Sequence, residues 1–471
     1  MRRPRRAQDF KEFSYVKKFS DSEIRFKEFK GNHEVALIFP NNYRVASASL
    51  AWSWVQQLFL EKNIPVERFF YEKWFSKFYS IESFTPLDQF KVLMFTFHFE
   101  LDFENIIDIL LKLGIPPVAE LRENHHPTVI IGGPITFFNI ELVKPIADVI
   151  VAGDLEYNIE DISEGIRILL KDKEEGLRYF EELSNVITLR KNTLEKINLK
   201  NYDISQKIPV SHFITPFSEF KNKRLIEIGR GCIRRCAFCV MGHTKKPVKF
   251  VPPQVIENFV KNEKNSLGII SATITDYPWL DQLLEILEKY AVSFSVSSMR
   301  ADGITDKLLK LLKKGGQNTF TIAPEGVSQK IRDEINKDIT GDDLFKALEL
   351  GRNNGFKNIK FYYIVGFENE DLNDYEELKI FIDKVKELGY TNISMSVNPL
   401  IPKKGTPFFG KKLIEEKQYN NIIKWMRTNI KGVKFHFESY KYSKKQYLYN
   451  ILSEEEVKEA VLKTYSKKDI D

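Results

Sequence analysis

The chain has 471 residues, of which 43% are hydrophobic and 29% charged, and its formal net charge is +6 at pH 7. This composition is typical of a globular protein with large buried cores, and the length predicts two or three domains. No apolar run approaches the roughly 20 residues that cross a bilayer, so we expect no membrane span. The mild positive charge is typical of a lysine-rich surface; it leaves nucleic acid open as a partner without supporting it.

Residues 1–30 form a basic extension that begins MRRPRRAQDF. No apolar stretch follows the arginines, so we do not expect a secretory signal. The chain has three cysteines, which are too few and too closely spaced for a disulfide framework. This cysteine usage favours a reducing, cytoplasmic location.

Residues 31–165 alternate apolar strands with helical patterns. The strands are predicted at 35–39 (VALIF), 66–71, 92–97 (VLMFTF), 128–134 (TVIIGGP) and 147–153 (ADVIVAG). Continuous apolar strands between helices indicate a parallel sheet that is covered on both faces. The pattern therefore predicts an open, Rossmann-like α/β domain, whose ligand-binding loops follow the carboxyl ends of the strands.

The rest of the chain divides into three parts. Residues 166–222 show weak periodicity and are predicted to be a linker. Over 223–412 the alternation resumes, and six strands with intervening helices predict a partial (β/α)6 barrel. The six strands carry the sequences LIEIG, LGIISAT, SFSVSSM, NTFTIAP, NIKFYYIVG and NISMSVNPL. Residues 413–471 are predicted to be a helical, charged C-terminal tail.

All three cysteines, Cys232, Cys236 and Cys239, lie directly after the first predicted barrel strand. Chemistry in such barrels takes place at the carboxyl ends of the strands. One alternative is zinc bound by the three thiolates and His243, but structural zinc usually joins two separated pairs of ligands. A second alternative is three unrelated buried cysteines, which their clustering disfavours. An iron–sulfur cluster fits best, because three ligands for four irons leave one iron open for chemistry.

The motif CxxxCxFC, formed by these three cysteines and Phe238, resembles the signature of the radical S-adenosylmethionine (radical SAM) enzymes. The resemblance implies a 4Fe–4S cluster whose open iron binds S-adenosylmethionine. One electron would then cleave the bound molecule to methionine and a 5′-deoxyadenosyl radical. An external reductant such as a flavodoxin or ferredoxin is implied as the partner.

The chain is more specifically similar to the radical SAM class with a cobalamin-binding-type N-terminal domain, in its YgiQ-like, uncharacterised branch. The segments that carry this similarity are FPNNYRVASASLAW, FHFELDFENIIDIL, IIGGP, AGDLEYN, GCIRRCAFCVMGHTKKPVKF, SMRADGIT, TIAPEGVSQKIRDEINK and VNPLIPKKGTPF. The resemblance implies a cobalamin-binding-type domain before the barrel and leaves the reaction open, including methyl transfer. The cysteine count excludes reactions that need further cysteines, such as methylthio transfer with an additional cluster.

The N-terminal domain departs from the cobalamin pattern, because the chain contains no DxHxxG loop to place a histidine on cobalt. Two alternatives stay open: cobalamin held without a histidine, or a domain that has become a scaffold. The candidate cobalamin contacts are Asn41, Thr96, Gly132 and Gly133, which follow predicted strands.

The resemblance also implies a cofactor pocket at the later strand ends of the barrel. Arg300 is expected to pair with the methionine carboxylate, with a surface salt bridge as the alternative. Glu325 is expected to meet the ribose or amine, with a role near a helix N-terminus as the alternative. Gly366 is expected to admit the adenine. Thr275 and Ser298 complete the predicted set.

Two functional classes remain open at this level. The first is a radical SAM enzyme with an unknown substrate. The second is an iron–sulfur electron carrier or scaffold that does not turn over S-adenosylmethionine. The predicted cofactor pocket favours the enzyme, because an electron carrier does not need such a pocket.

Overall fold

The computed structural model describes residues 7–28, 31, 33–191, 202–297 and 299–468. The chain divides into two compact units, of which the first comprises 1–202, 209–225 and 449–471 and the second comprises 203–208 and 226–448. Residues 1–6, which carry four arginines of the basic extension, and residues 192–201 lie outside the described residues. Among the described residues, no helix combines the length and apolar character needed to cross a membrane.

The first unit is built around one open sheet. Its elements up to residue 214 are α1 (Ala7–Ser22), β1 (Ile24–Arg25), β2 (Val35–Phe39), α2 (Tyr43–Ala46), α3 (Leu50–Glu61), β3 (Val66–Phe70), β4 (Val92–Thr96), α4 (Phe103–Lys112), β5 (Thr128–Gly132), β6 (Val149–Val151), α5 (Ile159–Lys171), α6 (Lys173–Glu182), β7 (Val186–Thr188) and β8 (Phe213–Ile214). The sheet has the strand order β3-β2-β4-β5-β6-β7. All its pairs are parallel except β6–β7. Strands β2, β3 and β4 are buried along their whole length, which explains the apolar sequences of β2 and β4. Strand β3 is buried although it carries Glu67 and Arg68.

A buried arginine connects three segments of the first unit. Arg68 on β3 is fully buried and forms ion pairs with Glu23 at 2.6 Å and Glu82 at 2.7 Å. Its guanidinium also lies 4.3 Å from the ring centroid of Phe213 on β8. Strand β8 pairs with β1, so residues within the segment predicted to be a linker are part of this first unit.

The second unit has a mixed α/β fold. Its elements are β9 (Arg224–Glu227), β10 (Gly229–Arg230), α7 (Met241–Thr244), β11 (Lys249–Phe250), α8 (Pro253–Val260), β12 (Leu267–Ile270), α9 (Leu280–Lys289), β13 (Phe294–Ser295), α10 (Asp306–Lys314), β14 (Thr319–Glu325), α11 (Gln329–Glu334), α12 (Gly341–Asn353), β15 (Asn358–Val365), α13 (Leu372–Glu387), β16 (Asn392–Pro399), α14 (Glu416–Asn429), β17 (Val433–Phe437) and α15 (Tyr440–Ile451). One sheet has the order β13-β12-β9, and the other the order β14-β15-β16-β17. A parallel bridge between Met299 and Ile322 lies between them, so the strands succeed one another in chain order.

The C-terminal region contains more than helices. Strand β17 extends the second sheet and pairs in parallel with β16, within the segment predicted to be a helical tail. Helix α16 (Glu454–Lys468) instead belongs to the first unit. The tail is therefore helical over most of its length but is divided between the two units.

Candidate functional site at the cysteine loop

The three cysteines lie on a loop that is closed by a short antiparallel ladder. Strand β10 pairs with β11, with Gly229 opposite Phe250 and Arg230 opposite Lys249, and residues 231–248 between them form the cysteine loop. Gly242 has no room for a side chain, because a Cβ there would lie 2.0 Å from the main-chain oxygen of Arg234. The loop therefore folds tightly back on itself.

Side-chain and main-chain contacts fix the cysteine loop within the second unit. The main-chain N–H of Ala237 donates to the oxygen of Ile335 at 2.9 Å. Arg234 donates from its guanidinium to the Asp276 carboxylate, with a shortest distance of 2.6 Å. The loop is thus held to the segment after β12 and to the segment after α11. Sequence reasoning assigned no role to Arg234, although its position between two of the cysteines is a usable signal.

The three thiols of the cysteine loop differ in burial, and burial and nearby charged or N–H groups act on them in opposite directions. Cys236 is buried, whereas Cys232 and Cys239 are partly exposed. Burial raises the pKa of Cys236, while the charges of Lys337 and Arg300 lower it. Burial also raises the pKa of Cys239, while main-chain N–H groups of residues 241 and 242 lower it. Nearby cations and N–H donors stabilise the negative charge of a cluster and its sulfur ligands, so the donor set fits an iron–sulfur cluster.

The zinc alternative finds no support in the geometry. Within the part of the chain that the structure describes, no group of three or more His, Cys, Asp or Glu side chains is arranged to hold a single metal ion. His243, the fourth ligand of that alternative, has its Nε2 atom 3.1 Å from the main-chain oxygen of Cys236. The thiolates of a 4Fe–4S cluster bind different irons, so a cluster does not require them to converge on one ion.

Glu325 occupies a distorted position at the carboxyl end of β14. Its φ is +64°, in the left-handed region that is uncommon for residues other than glycine. The register between β14 and β15 shifts between Ile322 and Glu325. Burial raises the pKa of Glu325, and the charge of Lys337 lowers it. Local strain of this kind often marks a functional site, which supports the role predicted for this carboxylate.

Lys337 is a buried cation that sequence reasoning missed. Only 6% of the residue is exposed, and its Nζ lies 3.6 Å from Oε1 of Glu325. The neighbours Asn336 and Asp338 both have φ of +52°, so the chain turns sharply on each side of the lysine. The tripeptide Asn-Lys-Asp is a signal for such a turn, because Asn and Asp tolerate this conformation better than most residues do.

Arg300 makes an ion pair within the chain. Its guanidinium donates to both Asp302 carboxylate oxygens at 3.0 Å and to the main-chain oxygen of Lys337 at 2.7 Å. The structure therefore shows an ion pair, as in the alternative, in which Asp302 is exposed and Arg300 is only 5% exposed. Its contact with a cofactor carboxylate stays a prediction.

The structure describes two of the other three residues predicted for the cofactor pocket, Thr275 and Gly366. Thr275 Oγ1 is buried and has no hydrogen-bond partner among the described residues. The N–H of Gly366 donates to the Glu370 carboxylate, and a Cβ on Gly366 would lie 2.9 Å from Ile414. Ser298 lies outside the described residues. An unpartnered hydroxyl is available at Thr275, whereas the space beside Gly366 is filled by the chain itself.

In the first unit, the residues predicted to contact cobalamin are occupied by contacts within the chain. Asn41 donates to Asp102 at 2.8 Å, and the hydroxyl of Thr96 donates to a main-chain oxygen on β2 at 3.4 Å. A Cβ on Gly133 would lie 2.6 Å from the oxygen of Phe97, whereas one on Gly132 would have no neighbour closer than 3.5 Å. Gly133 is thus required by the fold of the chain. The contact of these residues with cobalamin stays a prediction.

Two family models match the chain. The model described as radical SAM proteins, N-terminal, matches residues 52–189. The model of the radical SAM superfamily matches residues 226–382, which include the cysteine loop and Glu325.

Several known proteins are similar to the chain. The uncharacterized protein MJ0966 of Methanocaldococcus jannaschii is 29% identical over 428 residues, and the match covers 86% of each chain. The uncharacterized methyltransferase PH0819 of Pyrococcus horikoshii is 24% identical, with 65% of this chain and 67% of that protein covered. The putative methylthiotransferase MJ0865 of M. jannaschii is 24% identical, with 59% and 62% covered.

One solved structure shares the fold over most of the chain. It is the cobalamin-dependent S-adenosylmethionine radical enzyme OxsB, solved with aqua-cobalamin and S-adenosylmethionine bound. The TM-score is 0.51 at 15% sequence identity, and the match covers 84% of this chain and 61% of OxsB.

Proposed function

This chain belongs to the radical SAM superfamily, and we propose that it holds a 4Fe–4S cluster on Cys232, Cys236 and Cys239 and binds S-adenosylmethionine beside it. The observation that carries the proposal is the closed cysteine loop, which presents all three thiols between two paired strands. When bound, the cluster would supply the electron that cleaves S-adenosylmethionine to methionine and a 5′-deoxyadenosyl radical.

The domain organisation is part of this proposal. We propose a Rossmann-like domain over 31–165, a linker over 166–222, a partial radical SAM barrel over 223–412 and a C-terminal region over 413–471. The barrel is supported by the chain-order succession of parallel strands from β12 to β16 and by the bridge between Met299 and Ile322. The Rossmann-like domain is supported by the mainly parallel strand order of the first sheet.

The chain's own residues would shape the cofactor pocket. Glu325 is proposed to meet the amine or ribose of S-adenosylmethionine, because its carboxylate is fixed at a strand end beside the cysteine loop. Thr275 is proposed to donate from its unpartnered hydroxyl. Gly366 and Ser298 remain proposed contacts by resemblance alone. Arg300 is proposed to act on this pocket through the segment that carries Lys337.

The net reaction is radical chemistry on a substrate that is not assigned. Relatives described as a methyltransferase and a methylthiotransferase are compatible with transfer of a one-carbon or methylthio group. The chain has no cysteine outside the cysteine loop, so we do not propose methylthio transfer with an additional cluster. The fold likeness to OxsB keeps cobalamin as an alternative. The close approach of the Phe97 main chain to Gly133 leaves little space there and favours a scaffold role for the first unit.

The electron is proposed to come from an external one-electron donor such as a reduced flavodoxin or ferredoxin. We also propose a cytoplasmic location, because all three thiols must stay reduced to bind iron. Neither the charge nor the structure supports a nucleic-acid partner specifically.

The proposal is tested by anaerobic reconstitution followed by reaction with S-adenosylmethionine and a strong reductant. We expect about four irons per chain and the formation of 5′-deoxyadenosine. A chain that binds the cluster but produces no 5′-deoxyadenosine would favour the electron-carrier alternative. A chain that binds only zinc under strictly anaerobic purification would overturn the proposal. A Cys239→Ala variant is the matched control and should lose both iron and product.

A further inference from the structure

Lys337 belongs to a segment of the second unit that is hydrogen-bonded to the cysteine loop. The segment 335–338 follows α11 and contacts the cysteine loop through the hydrogen bond from Ala237 to Ile335 at 2.9 Å. Ala237 directly follows Cys236, and Lys337 comes two residues after Ile335. The segment therefore brings a buried lysine to the side of the cysteine loop that carries Cys236.

The segment 335–338 has an unusual backbone conformation that Arg300 stabilises. Asn336 and Asp338 both have φ of +52°, and Lys337 between them points inward while both neighbours are exposed. Arg300 donates from one nitrogen to the main-chain oxygens of Lys337 at 2.7 Å and Asp338 at 3.2 Å. Such a turn is costly for residues other than glycine and persists where surrounding contacts hold it. Arg300 supplies those contacts.

We propose that Lys337 is a buried cation that raises the reduction potential of the cluster on the cysteine loop, and that Arg300 is the residue that positions it. This inference rests on the proposed function, because it requires a cluster on the three cysteines. It goes further by assigning a role to a residue outside the cysteine motif. It also gives Arg300 a positioning role that its observed contacts with the main chain support.

The direction of the effect follows from charge. Reduction adds one electron from an external donor, such as reduced flavodoxin or ferredoxin, and makes the site one unit more negative. A nearby cation favours that more negative state, and water screens the interaction poorly because the lysine is only 6% exposed. Lys337 also compensates the Glu325 carboxylate 3.6 Å away, whose negative charge has the opposite effect.

The test is a redox titration of the full-length, reconstituted chain without S-adenosylmethionine, monitored by the electron paramagnetic resonance signal of the reduced cluster. In Lys337→Met we expect the equilibrium constant for reduction to fall about tenfold, equivalent to 59 mV for one electron. Lys337→Arg should keep the wild-type potential because it keeps the charge. The matched control is Lys330→Met, which removes the same charge from an exposed side chain on α11.

Arg300→Lys tests the positioning role, because it keeps the charge but cannot reproduce the same set of planar donors. We expect the reduction potential of the cluster in Arg300→Lys to be lower than in the wild type, as in Lys337→Met. An unchanged potential in Arg300→Lys would overturn the positioning role, and an unchanged potential in iron-replete Lys337→Met would overturn the proposal for the lysine.

Glu325→Gln provides a second test if Lys337→Met fails to assemble a cluster. Removing the carboxylate should raise the potential, and an unchanged value would contradict the proposed balance of charges. Failure of the wild-type chain to bind iron would instead count against the proposed function. The two failures are therefore distinguishable.

Discussion

Asn450 donates a hydrogen bond from Nδ2 to the carboxylate of Glu100 at 2.9 Å, and both residues are buried. Next to it, Asn139 donates to the main-chain oxygen of Tyr449 at 2.8 Å, and the Tyr449 hydroxyl donates to Glu104 at 2.9 Å. These bonds link the end of α15 to segments that follow β4 and β5. Residues 449 and 450 are therefore a structural part of the first unit.

The first prediction concerns this link. Asn450→Leu removes a donor to a buried carboxylate, and we expect it to lower the free energy of unfolding of the first unit by about 1–3 kcal/mol. Thermal or urea denaturation of the full-length chain measures the change. The control is Asn420→Leu, which makes the same substitution at an exposed position on α14. Equal stabilities of the two variants would contradict the structural role of Asn450.

The second prediction concerns the pH dependence of stability that arises from Asp102, which follows strand β4 of the first sheet. Burial raises the pKa of Asp102 from 3.8 to about 7, although the hydrogen bond from Asn41 lowers it and the nearby Glu100 raises it. The folded state therefore binds this proton more tightly than the unfolded chain does. The resulting stabilisation is complete below about pH 3.8 and is lost as the pH rises through about 7.

Asp102→Asn stays neutral at every pH, so we expect it to be more stable than the wild type at pH 8, on the order of 2 kcal/mol. The difference should shrink towards pH 5. Melting temperatures of both proteins at the two pH values measure this, with Asp88→Asn, at an exposed ion pair, as the control. A constant difference across the pH range would show that Asp102 titrates normally.

Much of the fold follows from hydrophobic pattern. Continuous apolar runs such as VALIF become buried parallel strands because both of their faces are covered, and all six strands predicted for the second unit are present. Strand β17 was missed because its residues are only half buried or exposed and are interspersed with polar ones, which resembles a charged helical tail. The division of the tail was missed because it depends on contacts such as Asn450–Glu100, which join residues 350 positions apart.

The part of the candidate site that could be predicted from the sequence is the cysteine motif. The three cysteines have a fixed spacing, and the structure places them on one closed loop. Lys337 was missed because its importance arises from burial beside Glu325, and an isolated lysine in a sequence is normally exposed. The contacts of Arg300 with Asp302 and with two main-chain oxygens could not be predicted, because they depend on how the chain folds, and its contact with a cofactor carboxylate stays a prediction.

The third prediction concerns cobalamin. We expect the purified chain, incubated with hydroxocobalamin and desalted, to retain no stoichiometric cobalamin, because Gly133 and Thr96 are closed by contacts within the chain. The absorbance spectrum after desalting measures retention. A stoichiometric spectrum would contradict the scaffold role. If cobalamin were retained, its loss in a Gly132→Trp variant would map the site to the carboxyl end of strand β5.

The fourth prediction concerns the cluster ligands. Cys236→Ala should lose most of the iron of the reconstituted chain, because a site with three thiolates cannot spare one and hold the cluster tightly. The rest of the fold should persist, as measured by circular dichroism. His243→Gln is the matched control, since this side chain contacts the main-chain oxygen of Cys236 and is not a proposed cluster ligand, and it should keep its iron. Loss of iron in His243→Gln together with bound zinc would revive the zinc alternative.

The last prediction concerns the binding of S-adenosylmethionine. Glu325 is held at the end of β14 in a left-handed conformation with its carboxylate 3.6 Å from the Lys337 ammonium. Glu325→Gln keeps the size of the side chain but removes the charge that would meet a cationic amine, and a charge-assisted hydrogen bond is roughly twice as strong as a neutral one. We expect the affinity for S-adenosylmethionine to fall about tenfold, equivalent to about 1.4 kcal/mol, while the iron content stays at the wild-type level.

Calorimetry on the oxidised, reconstituted chain measures this affinity without turnover. The control is Glu334→Gln, which removes a partly exposed carboxylate at the end of α11 that pairs with Lys411. An affinity in Glu325→Gln equal to that of the control would show that the amine does not meet this carboxylate. The strain at Glu325 would then have to be explained by its ion pair with Lys337 alone.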